Sequence, residues 1–126
     1  MATRRILVID DEDDIREVAK ASLELVGGWD VVAAGSGQEG IDKASREQPD
    51  AILLDVMMPD LDGPTTYQML QCHADTQNIP VIFLTAKVQS ADRRHLTGLG
   101  AAAMIAKPFD PLALAGEVGK ILGWER

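Results

Sequence analysis

Residues 50–63 read DAILLDVMMPDLDG, and Pro49 stands before them. Four consecutive apolar residues, Ala51 to Leu54, are bounded by turn formers. Such a run suits a strand covered on both faces, as in a parallel sheet. It delivers one carboxylate, Asp55, to the end of the strand, and the chain then turns at Pro59 and Gly63. The carboxyl end of a strand is where open α/β sheets bind their ligands. The question for the remaining sequence is what surrounds Asp55.

Outward from this stretch, strand and helix patterns alternate along the chain. Residues 5–9 form an apolar, β-branched run, and residues 13–26 carry Ile15, Val18, Ala19, Leu23 and Val26 near helical spacing. Gly27 and Gly28 can end that helix. A second strand is expected over residues 29–34. Ser36 and Glu39 form an S-x-x-E capping box for a helix through Glu47, which Pro49 stops. After the Asp55 strand, Gly63 and Pro64 open a third helix reaching about Ala74. Pro80 precedes strand four, residues 81–84, which ends at Thr85.

Ser90 is expected to open a fourth helix, closed by the Gly98 to Gly100 turn. Residues 102–106 form a fifth strand, weakly marked because alanine is a poor strand former. Asp110 and Pro111 then read as N-cap and first residue of a last helix through Leu122, with Gly123 ending it. Strands alternating with helices imply an α/β fold, a doubly wound parallel sheet with right-handed crossovers.

With 126 residues the expectation is a single domain, 1–126, holding one core. Twelve Lys and Arg against 20 Asp and Glu give a net charge of −8, which repels phosphate backbones and disfavours direct nucleic-acid binding. It suits a cation site or a basic protein partner, and much of it is a solvated surface. Cys72 is the sole cysteine, expected as a reduced, buried residue within the third helix. No signal-like or membrane-length apolar run is present, which points to a cytoplasmic protein.

In a parallel sheet every loop that follows a strand opens on one edge. Asp10, Asp11, Asp55, Thr85 and Lys107 converge there. Crowded carboxylates resist joint ionisation, and a hard divalent cation relieves the conflict. Magnesium takes oxygen ligands and keeps several waters. Asp11 and Asp55 are expected as direct ligands, Asp10 through water, with the Met57 carbonyl adding an oxygen. The competing explanation is an acidic helix start favoured by the helix dipole, which accounts for Asp13 and Asp14 but not for Asp10. Lys107 can pair with Asp55 or with a phosphoryl oxygen, and the Thr85 hydroxyl can donate to another. A carboxylate nucleophile with these neighbours suits phosphoryl transfer onto the carboxylate.

The segments ILVIDDE (residues 6–12), DAILLDVMMPDLDG (50–63), PVIFLTA (80–86) and AKPF (106–109) resemble the receiver domain of two-component response regulators. The resemblance covers essentially the whole chain. It implies a flavodoxin-like fold of five strands in the order 2-1-3-4-5 with five helices. It implies that Asp55 accepts phosphate from the phosphohistidine of a histidine kinase or histidine phosphotransfer protein. Magnesium (Mg2+) would be held by Asp10, Asp11, Asp55 and the Met57 carbonyl. Thr85, Ala86 and Lys107 would contact the phosphoryl group, and the Lys107–Pro108 bond would be cis. The protein would be a phosphoacceptor with self-catalysed phosphorylation and dephosphorylation, not a turnover enzyme.

The family's usual aromatic residue three before the lysine is here Met104, so the Thr-to-aromatic switch is in question. By the same resemblance Met57 and Lys87, two residues after Asp55 and Thr85, would flank the path of attacking water and lengthen the life of the phosphoryl state. Ile15, Val18, Ala19 and the loop after Lys107 are the implied docking face, although the helical spacing equally makes those three residues core. A stand-alone regulator is expected, with a downstream protein target and a monomer or weak phosphorylation-dependent dimer; a receiver fragment of a longer regulator is the alternative.

Two other functions compete. Gly35, Gly37 and Gly40 satisfy G-x-G-x-x-G between a strand and a helix, the context of a dinucleotide site. An aspartyl phosphatase would need a general acid where Met57 stands. His73 and His95 have no partner at ligand spacing and read as surface residues.

Overall fold

A computed structural model describes residues 3–86, 94–96 and 98–124. The apolar runs become strands β1 (Arg5–Ile9), β2 (Asp30–Ala34), β3 (Ala51–Asp55), β4 (Val81–Thr85) and β5 (Ala103–Ala106). They form one sheet in the order β2-β1-β3-β4-β5, with every pairing parallel. Between them lie α1 (Asp13–Leu25), α2 (Gly37–Glu47) and α3 (Gly63–Gln71), and a C-terminal helix (Leu114–Leu122) closes the chain. Residues 94–96 and Gly98, between β4 and β5, are helical as well. The expected start of that helix, Ser90, lies outside the described residues.

Alternating side chains of the central strands feed two cores, as the pleat requires. On one face Leu7, Ile9, Ile52, Leu54 and Phe83 pack with Ile41 and Ala44 of α2 and Tyr67 and Leu70 of α3. On the other, Ile6, Val8, Leu53, Ile82 and Leu84 pack with Ala19 and Leu23 of α1 and Leu114 and Val118 of the C-terminal helix. β3 and β4 are buried along their whole length, which is why both read as unbroken apolar runs.

Several local expectations change. In α1, Ala19 and Leu23 are buried, but Val18 and Val26 are 41% and 52% exposed. Ser22 takes an inward position instead, because its hydroxyl donates to the Pro111 carbonyl. The third helix stops at Gln71, and Cys72 is its exposed C-cap, not a buried helix residue. Asp62 caps that helix by accepting the Thr65 N–H at 2.8 Å. The Ser36 hydroxyl accepts the Glu39 N–H at 3.1 Å as a capping box requires. The Glu39 carboxylate, however, takes the Gly35 N–H at 2.7 Å. The last helix begins at Leu114, since residues 111–113 are a turn. Asp110 still organises its entry: its carboxylate accepts the Leu112 N–H at 2.9 Å, and its carbonyl accepts those of Ala113 and Leu114.

Gly28 and Gly123 end their helices with positive φ as expected, whereas α2 is closed by Gln48 in the left-handed region at φ 46°. At the edge where the strands begin, Trp29 and Trp124 meet edge to face with centroids 5.2 Å apart, and Arg4 lies over the Trp124 ring. Among the described residues no helix is long and apolar enough to cross a membrane.

Candidate functional site

The parallel sheet brings the strand ends to one edge, and the sequence decides what each end carries. Asp10 follows β1, Asp55 closes β3, Thr85 closes β4, and Lys107 follows β5. Backbone hydrogen bonds carry the pairing up to these residues: Asp10 N–H donates to the Ala34 carbonyl at 3.1 Å and Lys107 N–H to the Thr85 carbonyl at 2.8 Å. Asp10, Asp55 and Thr85 are all buried, at 0%, 3% and 3% exposure.

The Lys107 ammonium lies 2.8 Å from Asp10 Oδ2 and 3.1 Å from Asp55 Oδ1. Glu12 Oε1 is a third, more distant partner at 3.5 Å. Burial opposes the charge on Lys107, but the hydrogen bonds and charges of Asp10 and Asp55 raise its pKa above the ordinary lysine value. Asp55 shows the conflict directly. Burial, and next the Asp10 charge, push its pKa up to about 6, against the opposing pull of Lys107 and the Met57 N–H. One ammonium therefore leaves the acidic pair incompletely neutralised.

That imbalance is what a divalent cation would relieve. Carboxylate oxygens of Asp10, Asp11 and Asp55 lie within 4.8 Å of one another. Asp11 Oδ1 is buried without a hydrogen-bond partner. Several carboxylates, one of them unsatisfied, form an oxygen donor set that fits a hard cation. The remaining expected residues sit around this centre: Met57 is 64% exposed at the mouth, and Ala86 is exposed just beyond β4. Lys87 lies outside the described residues. The Lys107–Pro108 bond is cis. Met104 is half-buried against the core that contains Phe83 and Tyr67.

Supporting contacts were not visible in the sequence. Arg16 donates to the Asp10 carbonyl at 2.8 Å, fixing the acidic turn from α1. The carboxylate of Asp60 accepts the N–H groups of Gly37 and Gln38, each at 3.1 Å. With Glu39 on the Gly35 N–H, these contacts occupy amides that a pyrophosphate would need. Gly37 and Gly40 serve packing: a Cβ at Gly37 would lie 2.5 Å from Thr66 Oγ1, and one at Gly40 would lie 2.4 Å from Ile9 Cδ1. The glycine pattern is thus accounted for without a nucleotide. His73 and His95 are exposed, as expected.

Strand order and an acid-lined edge place the chain in the doubly wound, flavodoxin-like class. Residues 6–118 match the family model of the response regulator receiver domain, and the chain belongs to that family. It is 39% identical over 122 residues to the probable transcriptional regulator ycf27 of Porphyridium aerugineum, covering 97% of this chain and 49% of that protein. It is also 39% identical over 119 residues to the alkaline phosphatase synthesis regulator PhoP of Bacillus subtilis, covering 94% and 48%. The chain thus spans about half the length of these curated relatives.

Among solved structures, chemotaxis protein CheY4 of Vibrio cholerae superposes with a TM-score of 0.88 at 26% identity, covering 95% of this chain and 99% of that one. The receiver domain of a sensor histidine kinase from Pseudomonas aeruginosa superposes at 0.85 with 29% identity, covering 97% and 99%. That structure carries a magnesium ion coordinated in its active site cleft. Receiver domains are phosphoacceptors that pair with histidine kinases and are not classical enzymes.

Proposed function

We propose that this protein accepts a phosphoryl group on Asp55 from the phosphohistidine of a histidine kinase or histidine phosphotransfer protein, and that the loaded form engages a downstream protein. The observation that carries this reading is the buried Asp55 carboxylate held 3.1 Å from the Lys107 ammonium, with Asp10 and Asp11 beside it. An Asp55 oxygen attacks the donor phosphorus. The P–N bond breaks, its electron pair returns to the imidazole ring, which takes up a proton, and an acyl phosphate forms.

Lys107 is already lodged at the reacting carboxylate, so it exchanges one anionic partner for a phosphoryl oxygen without crossing the site. The Thr85 hydroxyl and the Ala86 N–H donate to the other oxygens. Asp10, Asp11, Asp55 and the Met57 carbonyl would hold Mg2+, which supplies charge neutralisation for the phosphoryl oxygens when bound. Hydrolysis of the acyl phosphate by water returns the carboxylate.

Intact mass after incubation with acetyl phosphate or a phosphohistidine donor tests this directly. A gain of one phosphoryl group is expected in wild type with magnesium. It should be absent with chelator and absent in Asp55→Asn. A gain that survives either change removes the assignment.

Met57, exposed at the mouth, supports the expectation of a slow return to the unloaded state. First-order loss of the Asp55 phosphoryl group should be slower in wild type than in Met57→Asn with Lys87→Glu, by roughly tenfold if water access is the controlling step. Equal rates would dispose of the idea.

The docking face implied for the donor is altered by one residue. Ala19 is fully buried and belongs to the core, whereas Val18 is 41% and Leu112 79% exposed. With Leu25, Val26 and Pro111 they border an apolar groove of about 250 Å³. A histidine-bearing helix with apolar flanks fits such a groove. A second reading, the receiver portion of a longer regulator, is favoured by the curated relatives, of which this chain matches only about half. In either case phosphorylation is expected to leave a monomer or a weak dimer, which sizing of the loaded form resolves.

A further inference from the structure

We infer that Asp60, which contacts neither donor nor cation, is a positioning residue for the cation-binding loop. This inference rests on the reading of the site given above. The loop after β3 carries two anionic side chains that reach two different helices. Asp62 caps α3, the helix the loop enters, in the ordinary way. Asp60 instead reaches across to α2. One carboxylate oxygen accepts the Gly37 N–H and the other the Gln38 N–H, so both oxygens rest on the first turn of a helix 22 and 23 residues away in sequence.

These amides, with that of Leu61, hold the Asp60 carboxylate below its ordinary pKa despite the opposing effect of burial, so the contact is made by the charged form. The two surfaces also meet sterically. A side chain at Gly37 would strike Leu61 Cβ at 2.8 Å and Thr66 Oγ1 at 2.5 Å, so α2 and the loop approach as closely as backbone allows.

The consequence lies upstream in the same loop. Met57 lies between Asp55, at the end of β3, and Asp60, at α2. At one end Val56 N–H donates to the Leu84 carbonyl at 3.1 Å. At the other the Asp60 carboxylate is pinned to α2. The Met57 N–H acts on the Asp55 carboxylate, drawing its pKa down, and the Met57 carbonyl is the backbone oxygen assigned to the cation. These two groups belong to the peptide units on either side of the Met57 Cα, so a change in the φ and ψ of Met57 would disturb their common approach to the site. Asp60 thus limits the turn to a conformation that serves the acceptor carboxylate, a task that α2's own cap, Ser36, does not share. Supporting contacts of this kind typically set metal affinity by about 10–100-fold.

The test compares magnesium affinity by titration calorimetry with unfolding by denaturant in wild type, Asp60→Ala, Asp60→Asn and Ser36→Ala. Asp60→Ala and Ser36→Ala both uncap α2, so both should unfold more easily. Only Asp60→Ala should weaken magnesium binding, by about tenfold. Asp60→Asn keeps one acceptor and should fall between, and it serves in place of Asp60→Ala if that variant does not fold. Wild-type affinity in the Asp60 variants, or an equal loss in Ser36→Ala, would reduce Asp60 to a helix cap and overturn the inference alone. Absence of magnesium binding in wild type would overturn the assignment of the site as well.

Discussion

Gly63→Ala is expected to destabilise the fold by about 2–3 kcal/mol. A Cβ at this buried position would lie 2.6 Å from the Asp55 carbonyl oxygen and 2.8 Å from Val56 Cα. Both are backbone atoms of β3 and its exit, so no side-chain rotation can relieve the contact. Either α3 backs away from the sheet or the end of β3 shifts, and the shift would move Asp55. The Gly63 N–H, which donates to the Val56 carbonyl at 2.8 Å, would be strained in the same step.

Gly116→Ala is the control within the C-terminal helix. A Cβ there meets nothing within 4 Å, so the exchange should stabilise by about 0.5–1 kcal/mol through helix propensity. Denaturant unfolding of both variants checks the pair. A neutral Gly63→Ala would show that α3 does not bear on the acceptor strand as closely as described.

Asp55→Asn should stabilise the protein in chelator at neutral pH, by on the order of 2 kcal/mol. The sign follows from the direction of the shift. Asp55 titrates near 6 in the folded protein, against 3.8 for an ordinary aspartate. Between those values the native state holds a proton that the unfolded state has released. Wild-type stability is therefore highest at the acid end of this window and falls as pH rises through it, from about 4 to just above 6. The side-chain amide in Asp55→Asn does not ionise, so the variant lacks that component of the slope. The two stability curves should converge near pH 4 and separate towards pH 7. Magnesium should narrow the gap by stabilising wild type. Parallel curves across this range would mean that Asp10 and Asp55 do not oppose each other as their burial demands.

The sheet and the centre of the site were legible for one reason. Runs such as Ala51 to Leu54 are apolar on both faces only when helices cover both, which makes the sheet parallel and sends Asp10, Asp55, Thr85 and Lys107 to one edge. The supporting contacts were not legible, because they join residues with no common period. Asp60 meets Gly37 across 23 positions, and Lys107 meets Glu12 across 95. In α1 the helical spacing placed Val18 inside with Ala19, yet the buried stripe runs through Ala19, Ser22 and Leu23. Serine carries no apolar signal, and only its bond to the Pro111 carbonyl explains its place. Gln48 in the left-handed region is likewise unannounced, since glycine is the residue that usually advertises such a bend.

The paired indoles have a practical corollary. Trp29 precedes β2 and Trp124 follows the last helix, so both chromophores sit at the far end of the sheet from Asp55. Their emission will follow melting of that far end and the loosening of Arg4 above the ring. It will be nearly silent to events around Asp55, where no native indole lies, so an optical readout of loading needs a fluorophore placed near Met57.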